Sequence, residues 1–389
     1  MSRNNTTTLN TNLNKAKLIH GGKEYFDLLV KLIKQATKSI HLQAYIFDAD
    51  ETGTMVAEAL KEAARKKIPV HLVVDGYASQ SLPKKFITDL EDSGIKIRFF
   101  EAFFKSKKFY FGRRMHHKVF VVDSCIALVG GINISNRYND ISGHPAWFDF
   151  ALYTEGEIAS DLYILCWKTW NGFTRKKITA PHKQEGSSFN MQDAEQSKLL
   201  MRRNDWLRNK NEISGTYKNM FRHAKSHITI LCSYFLPGNT IRTTLKNAAR
   251  RGVKIQVITA GNSDVMISKY AERWMYDWML RNKIEIFEYQ PTILHAKVAA
   301  CDSEWMTIGS YNINDLSAHA SIELNIDVYN ASITKQMESL LKTAIEKDCI
   351  AITEKKHKET KNIFKQFVRW CSYEMIRLIL YIVTFNLKK

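Results

Sequence analysis

Two stretches of this 389-residue chain carry histidine, lysine and aspartate at the same spacing: HHKVFVVDSCIALVGGINIS (residues 116–135) and HAKVAACDSEWMTIGSYNIN (residues 295–314). Both fit one template: His-x-Lys, four residues, Asp, six residues, Gly-[Gly/Ser]-x-Asn. The first supplies His116, Lys118, Asp123, Gly130, Gly131 and Asn133, the second His295, Lys297, Asp302, Gly309, Ser310 and Asn312. In a β-strand, residues i and i+2 share a face, so each histidine would project beside its lysine. Glycine lets backbone approach an anion closely, and Asn133, Asn312 and Ser310 can donate to its oxygens. Two such half-sites facing one another would make a phosphate pocket with two lysines and two imidazoles. Phosphodiester exchange needs that set: cations against the charge of the transition state, a nucleophile, and an acid for the leaving oxygen. Histidine suits both of the last roles because its pKa lies near working pH. A lone His-x-Lys is more often a solvated strand face. Two full copies at matching places in a repeat argue against that reading.

The elements that must hold these residues also repeat. Residues 24–36 have helical apolar spacing and SIHLQAYIF (39–47) reads as a buried strand; a helix (54–66) and the strand PVHLVVDG (69–76) follow. In the second half a helix ends near Ala224. HITILCSYF (227–235), the helix at 239–250 and VKIQVITAG (253–261) then keep the same order. AARKKIPVHLVV and AARRGVKIQVIT show that the repetition is one of sequence as well as pattern. The expected fold class is α/β, with two pseudo-symmetric α/β/α domains, each a mainly parallel mixed sheet flanked by helices, and the site at their interface. The expected bounds are a disordered N-terminus at 1–15, domains at 16–180 and 197–350, a polar linker at 181–196, and a basic amphipathic tail at 351–389.

The paired motifs resemble those of the phospholipase D superfamily over residues 17–349. In that family one histidine attacks phosphorus to give a phosphohistidine and the opposite one protonates the leaving alcohol. The resemblance implies His116 as nucleophile and His295 as general acid/base, with the reverse assignment open. It implies His116, Lys118, Asp123, His295, Lys297 and Asp302 as the catalytic motif residues, with Asp123 and Asp302 expected to brace the half-sites rather than touch phosphate. It also implies a downstream carboxylate orienting each histidine, here Asp149 and Glu323. His117 should point off the site face. No metal and no cofactor are expected. The stretches VDGYAS, RRMHHKVFVVD, SYFLPG and GSYNINDLSAHASIELN are similar to bacterial cardiolipin synthases of the short type without amino-terminal membrane spans. That likeness implies phosphatidyl transfer from one phosphatidylglycerol to another, with release of glycerol. A phospholipase D or another phosphatidyltransferase, with water or a different alcohol as acceptor, would use the same motifs. A metal-independent nuclease is the rival from another class.

Composition bears on the substrate. Lys and Arg number 57 against 39 Asp and Glu, a net charge of +18 that would draw the chain to polyanions, whether an anionic bilayer or nucleic acid. The loop EAFFKSKKFYFGRR (101–114) interleaves Phe103, Phe104, Phe109 and Phe111 with Lys107, Lys108 and Arg113, a mixture suited to a lipid interface. The same mixture can stack on single-stranded nucleic acid or cover a local core. Residues 354–389 join a lysine-rich run to an apolar face formed by Phe364, Phe367, Cys371, Met375, Leu378, Ile379 and Ile382, which fits either an interfacial helix or a helix docked on the body. No run reaches the roughly 18–20 apolar residues of a membrane span. The six cysteines form no CxxC pair. The expectation is a cytoplasmic enzyme, peripheral on the inner face of the cell membrane, with an anionic phospholipid (phosphatidylglycerol) as partner and no nucleic acid.

Overall fold

The computed structural model of the chain describes residues 14–101, 113–141, 143–173, 191, 193–319, 321–359 and 362–385. The first repeat runs β1 (Asn14–His20), α1 (Lys23–Gln35), β2 (Ile40–Ala44), α2 (Glu51–Arg65), β3 (Val70–Asp75), α3 (Lys84–Asp92), β4 (Lys96–Phe100), β5 (Arg114–Met115), β6 (Lys118–Val122), β7 (Ile126–Gly130), β8 (Phe150–Gly156) and α4 (Glu157–Trp170). The second runs β9 (Glu195–Asp205), β10 (Lys210–Asn211), α5 (Glu212–His223), β11 (His227–Cys232), α6 (Asn239–Arg250), β12 (Lys254–Ala260), α7 (Met266–Arg281), β13 (Glu285–Tyr289), β14 (Lys297–Cys301), β15 (Trp305–Gly309), α8 (Asp315–His319), β16 (Ser321–Tyr329), α9 (Ala331–Asp348) and β17 (Cys349–Ala351). Two further helices follow, α10 (Glu354–Glu359) and α11 (Ile363–Phe385).

Each repeat is a mixed sheet, but only one flank of it is parallel. β2, β3 and β4 run parallel to one another, as do β11, β12 and β13. The motif strands β6, β7, β8 and their counterparts β14, β15, β16 join by antiparallel pairing, so the expected mainly parallel sheet is corrected here. For the β6–β7 and β14–β15 pairs the reason is a two-residue turn. Asp123 and Ser124 have φ of 53° and 56°, and Asp302 and Ser303 have 54° and 55°. Two consecutive left-handed residues close a tight hairpin, which sends the next strand straight back.

The bounds also shift. Asn14 and Lys15, assigned from sequence to a disordered terminus, begin β1. Asn14 is buried and its side-chain oxygen accepts from the Ile158 N–H at 2.8 Å, at the start of α4. Glu195 and Gln196, assigned to the linker, pair with Ala16 and Lys15 as the first residues of β9. The rest of β9 pairs with β16, so this strand joins the two sheets. One core lies between the inner sheet faces and contains α4 and α9; two others lie beneath α1–α2 and beneath α5–α7.

Asp123 and Asp302 hold these hairpins in place. Asp123 accepts from the N–H groups of Thr37, Lys38 and Ser39 at 2.7–3.2 Å, and Asp302 from those of Lys225, Ser226 and His227 at 2.8–2.9 Å. Burial opposes ionisation of Asp302, but its backbone donors outweigh it and bring the carboxyl down to about 2. A folded-state pKa below the unfolded one contributes stability above roughly pH 4 and loses it as pH falls toward 2. Asp302→Ala should therefore lower stability at neutral pH by about 1–2 kcal/mol. In thermal unfolding followed by circular dichroism, the gap from the parent protein should narrow by about half near pH 3. A pH-independent gap would show that the charge is not the source.

Candidate active site

Lys118 and Lys297 open the strands β6 and β14, so His116 and His295 stand just before them, where each segment pairs with the other repeat. β5 pairs in parallel with the start of β16, Met115 opposite Ile322, and the His116 N–H donates to Ile322 O at 3.0 Å. The mirror contact joins Phe148 to Leu294, and the His295 N–H donates to Phe148 O at 2.9 Å. The next residue after each bridging position is a carboxylate, and it reaches the histidine of the opposite repeat. Glu323 lies 3.0 Å from His116 Nδ1, and Asp149 Oδ2 lies 2.7 Å from His295 Nδ1. With Nδ1 held in both rings, Nε2 is the nitrogen left for reacting atoms.

The supports differ in detail. Glu323 is buried and also accepts from the hydroxyls of Ser310 and of Ser321, the latter at 2.7 Å. Gly131 occupies the place of Ser310 in the first repeat. A Cβ there would lie 2.5 Å from Asp149 Oδ2, so glycine makes room for the shorter carboxylate side chain. Both lysines are buried and fold back to donate to the carbonyl of their own motif histidine. Lys118 Nζ also sits 5.1 Å from the Tyr45 ring, and Lys297 Nζ donates to Ser233 Oγ at 3.1 Å.

Burial dominates the electrostatics. It lowers the pKa of Lys118 to about 7, with Lys297 adding to the effect and Glu323 opposing it, and it lowers Lys297 as well. It lowers both histidines: His116 is partly restored by Glu323, while His295 is pushed well down and further depressed by Lys297 and Lys118. Burial raises Asp149 to about 6 against the pull of Lys297. It would raise Glu323 too, but His116, Lys118 and the Ser310 hydroxyl hold it below the usual carboxylate range. Lys297 acts on His116 and Lys118 on His295, so the half-sites share one field. A phosphate entering beside the two lysines and two imidazoles would favour their protonated forms, opposing the burial that lowers all four.

Several residues expected at the phosphate have other work. Asn133 accepts from the Ile46 N–H at 3.0 Å and donates to the Tyr138 hydroxyl at 2.9 Å, tying its loop to the end of β2. Asn312 accepts from Cys232 Sγ at 3.7 Å. Ser310 orients Glu323, as above. Asp123 and Asp302 sit at the far hairpin ends, which removes them from direct contact with reacting groups. His117 is buried off the site, with Nε2 2.7 Å from Gln43 Oε1. Arg113, expected at a lipid surface, is buried between Asp205 at 2.9 Å and Glu101 at 3.6 Å, with its guanidinium over Phe100 and Phe173. Its charge is used internally, which corrects that expectation. Phe103, Phe104, Lys107, Lys108, Phe109 and Phe111 lie outside the described residues.

The sequence reading missed Asp75. It is fully buried at the end of β3 and accepts from the Met115 N–H at 2.9 Å, fixing the segment that delivers His116. A carboxylate closing the apolar run VHLVV was its visible signal. It also missed the aromatic walls: Tyr45 is edge-on to His116 at 4.8 Å, and Tyr138 and Trp147 stand 5.0 and 5.9 Å from His295.

Comparison with known proteins places this geometry. The family model for the phospholipase D-like domain of cardiolipin synthases matches twice, over residues 29–143 and 217–345. Cardiolipin synthase B of Escherichia coli is 31% identical over 346 residues, covering 88% of this chain and 83% of its own. A cardiolipin synthase of Halalkalibacterium halodurans is 30% identical over 87% of this chain and 66% of its own. Among solved structures, phosphatidylserine synthase of Haemophilus influenzae superposes with a TM-score of 0.71 at 13% identity, covering 94% of this chain and 96% of that one, a likeness of fold.

Glu323→Gln removes the charge that favours protonation of His116, so the His116 pKa should fall further. Titration of the imidazole signals by NMR, with His116→Gln for assignment, reads this directly. An unmoved His116 titration would mean that the carboxylate does not act on the ring.

Proposed function

The chain belongs to the phospholipase D-like family of cardiolipin synthases, and from that premise we propose that it makes cardiolipin from two molecules of phosphatidylglycerol. The observation that carries this reading is the pair of imidazoles, His295 buried and His116 half-buried, each held through Nδ1 by a carboxylate of the opposite repeat, with a buried lysine beside each.

His116 Nε2 attacks the phosphorus of the first lipid. The bond from phosphorus to the headgroup glycerol oxygen breaks, and that oxygen takes a proton from His295, releasing glycerol and leaving a phosphatidyl-histidine. The terminal hydroxyl of a second phosphatidylglycerol then gives its proton to His295 and attacks phosphorus. The phosphorus–nitrogen bond breaks and cardiolipin leaves. Lys118 and Lys297 balance the charge on the non-bridging oxygens. Asp149 and Glu323 fix each ring's orientation and stabilise it when protonated. Among the described residues no helix is long and apolar enough to cross a membrane. On this reading the enzyme works as a peripheral protein on the inner face of the cell membrane.

Purified protein with phosphatidylglycerol vesicles, without nucleotide or added metal, should form cardiolipin and glycerol in equal amounts. His116→Ala and His295→Ala should each cost roughly 10³-fold or more. Gly131→Ala, which drives a methyl group into Asp149, should cost about 10–100-fold. A covalent lipid adduct should map to His116; an adduct on His295 would reverse the two roles. Undiminished turnover in both alanine variants, or cleavage of single-stranded DNA with no lipid product, would overturn the proposal.

A further inference from the structure

The last helix is packed on one side only. α11 lies along α7, where Tyr373 and Ile376 meet Leu236, Met275 and Trp278, and Ser372 is buried. Another face, at helical spacing, turns Phe364, Phe367, Met375, Leu378 and Ile379 outward; Phe364 is 73% exposed and Leu378 57%. Seven of the fourteen exposed large apolar side chains among the described residues belong to this one helix, which makes the stripe a patch rather than scatter.

Beside the helix is a pocket of about 250 Å³, lined by Arg273, Glu288, Lys356, His357, Lys365 and Arg369 among others. Glu288 is already committed. It pairs with Arg273 through two bonds of 3.0 and 3.1 Å, lies 3.1 Å from Lys269, and accepts from the Tyr276 hydroxyl at 2.9 Å. Arg369 is 8% exposed, and its Nη1 is buried with no hydrogen-bond partner among the described residues. A buried guanidinium nitrogen left in that state can take a further acceptor, and the planar fork matches phosphate oxygens. Lys365, one turn before Arg369 on α11, and Lys356 on α10 add positive charge to the same pocket.

We infer that α10 and α11 form the surface by which this protein docks on an anionic bilayer, the exposed stripe of α11 entering among the acyl chains and the Arg369 pocket seating one lipid phosphate. The inference rests on the lipid-substrate reading and names the surface that serves it. Charge complementarity selects the occupant: exposed Lys355, Lys358 and Lys365 accompany the stripe on a chain of net charge +18, which suits an anionic lipid surface better than a neutral apolar partner. Apolar insertion and headgroup capture are the two signals that together give stable peripheral binding.

Full-length protein is sedimented with vesicles of phosphatidylglycerol mixed into phosphatidylcholine, and with phosphatidylcholine alone. Binding should require the anionic lipid. Phe364→Ser with Phe367→Ser should weaken it by about tenfold or more. Arg369→Met should weaken binding to the anionic vesicles and reduce its salt dependence. Unchanged melting temperatures, and unchanged turnover of a short-chain phosphatidylglycerol dissolved as monomers, verify that the variants are folded. Parent-like vesicle binding by the Phe variant would overturn the docking surface, and by Arg369→Met the headgroup site. Free glycerophosphate or inorganic phosphate that stabilises the protein, with no vesicle binding, would assign the pocket to a soluble anion and also overturn the inference. Vesicle binding that depends on α11, in a protein that makes no cardiolipin, would instead refute the catalytic reading and leave the docking surface standing.

Discussion

Two hydrogen bonds crossing between the repeats organise this molecule: Glu323 of the second repeat to His116 of the first, and Asp149 of the first to His295 of the second. Both carboxylates are almost wholly buried. A buried charge is tolerated only with a partner, so each repeat contains a carboxylate whose complement lies in the other. The short parallel pairings of Met115 with Ile322 and Phe148 with Leu294 set the register of these contacts, and β9 joins the two sheets side by side. Half of this chain would present an imidazole without its orienting group and a carboxylate without its counterion.

The pseudo-symmetry is imperfect in ways that matter for a two-step reaction. One carboxylate is a glutamate steadied by Ser310; the other is an aspartate accommodated by Gly131. One lysine lies against an aromatic ring, the other against a serine hydroxyl. His295 is walled by Tyr138 and Trp147, and burial and two lysines lower its pKa; burial lowers His116 as well, with Glu323 opposing it. The two rings therefore sit in different surroundings within one shared frame.

Much of the frame was legible in the residues. The helix at 239–250 and the buried runs IHLQA and HITILC follow from apolar periodicity, and the repeat follows from matched segments. The antiparallel hairpins were not read, because their only signal is the dipeptide Asp-Ser, whose adoption of two left-handed residues depends on the N–H groups of the distant segments 37–39 and 225–227. Arg113 was misplaced for a similar reason. A basic residue beside aromatics has the composition of an interface, but its two carboxylate partners, Glu101 and Asp205, bury it.

What the sequence by itself determined is the chemistry of the ingredients. Two His-x-Lys motifs at matched positions specify two imidazoles and two lysines, and duplication specifies that the two sets are related. Tertiary structure decided which groups touch. Asn133 and Ser310 have side chains that could bind phosphate, yet a backbone N–H group and neighbouring side chains claim them first, while Asp123 and Asp302 are taken up by backbone N–H groups at the hairpin ends. Asp149 and Glu323 support the histidine far from them in sequence rather than the one in their own repeat. The reason is that hydrogen bonding is local in space and indifferent to chain distance, so a partner is assigned only when packing brings donor and acceptor within about 3 Å.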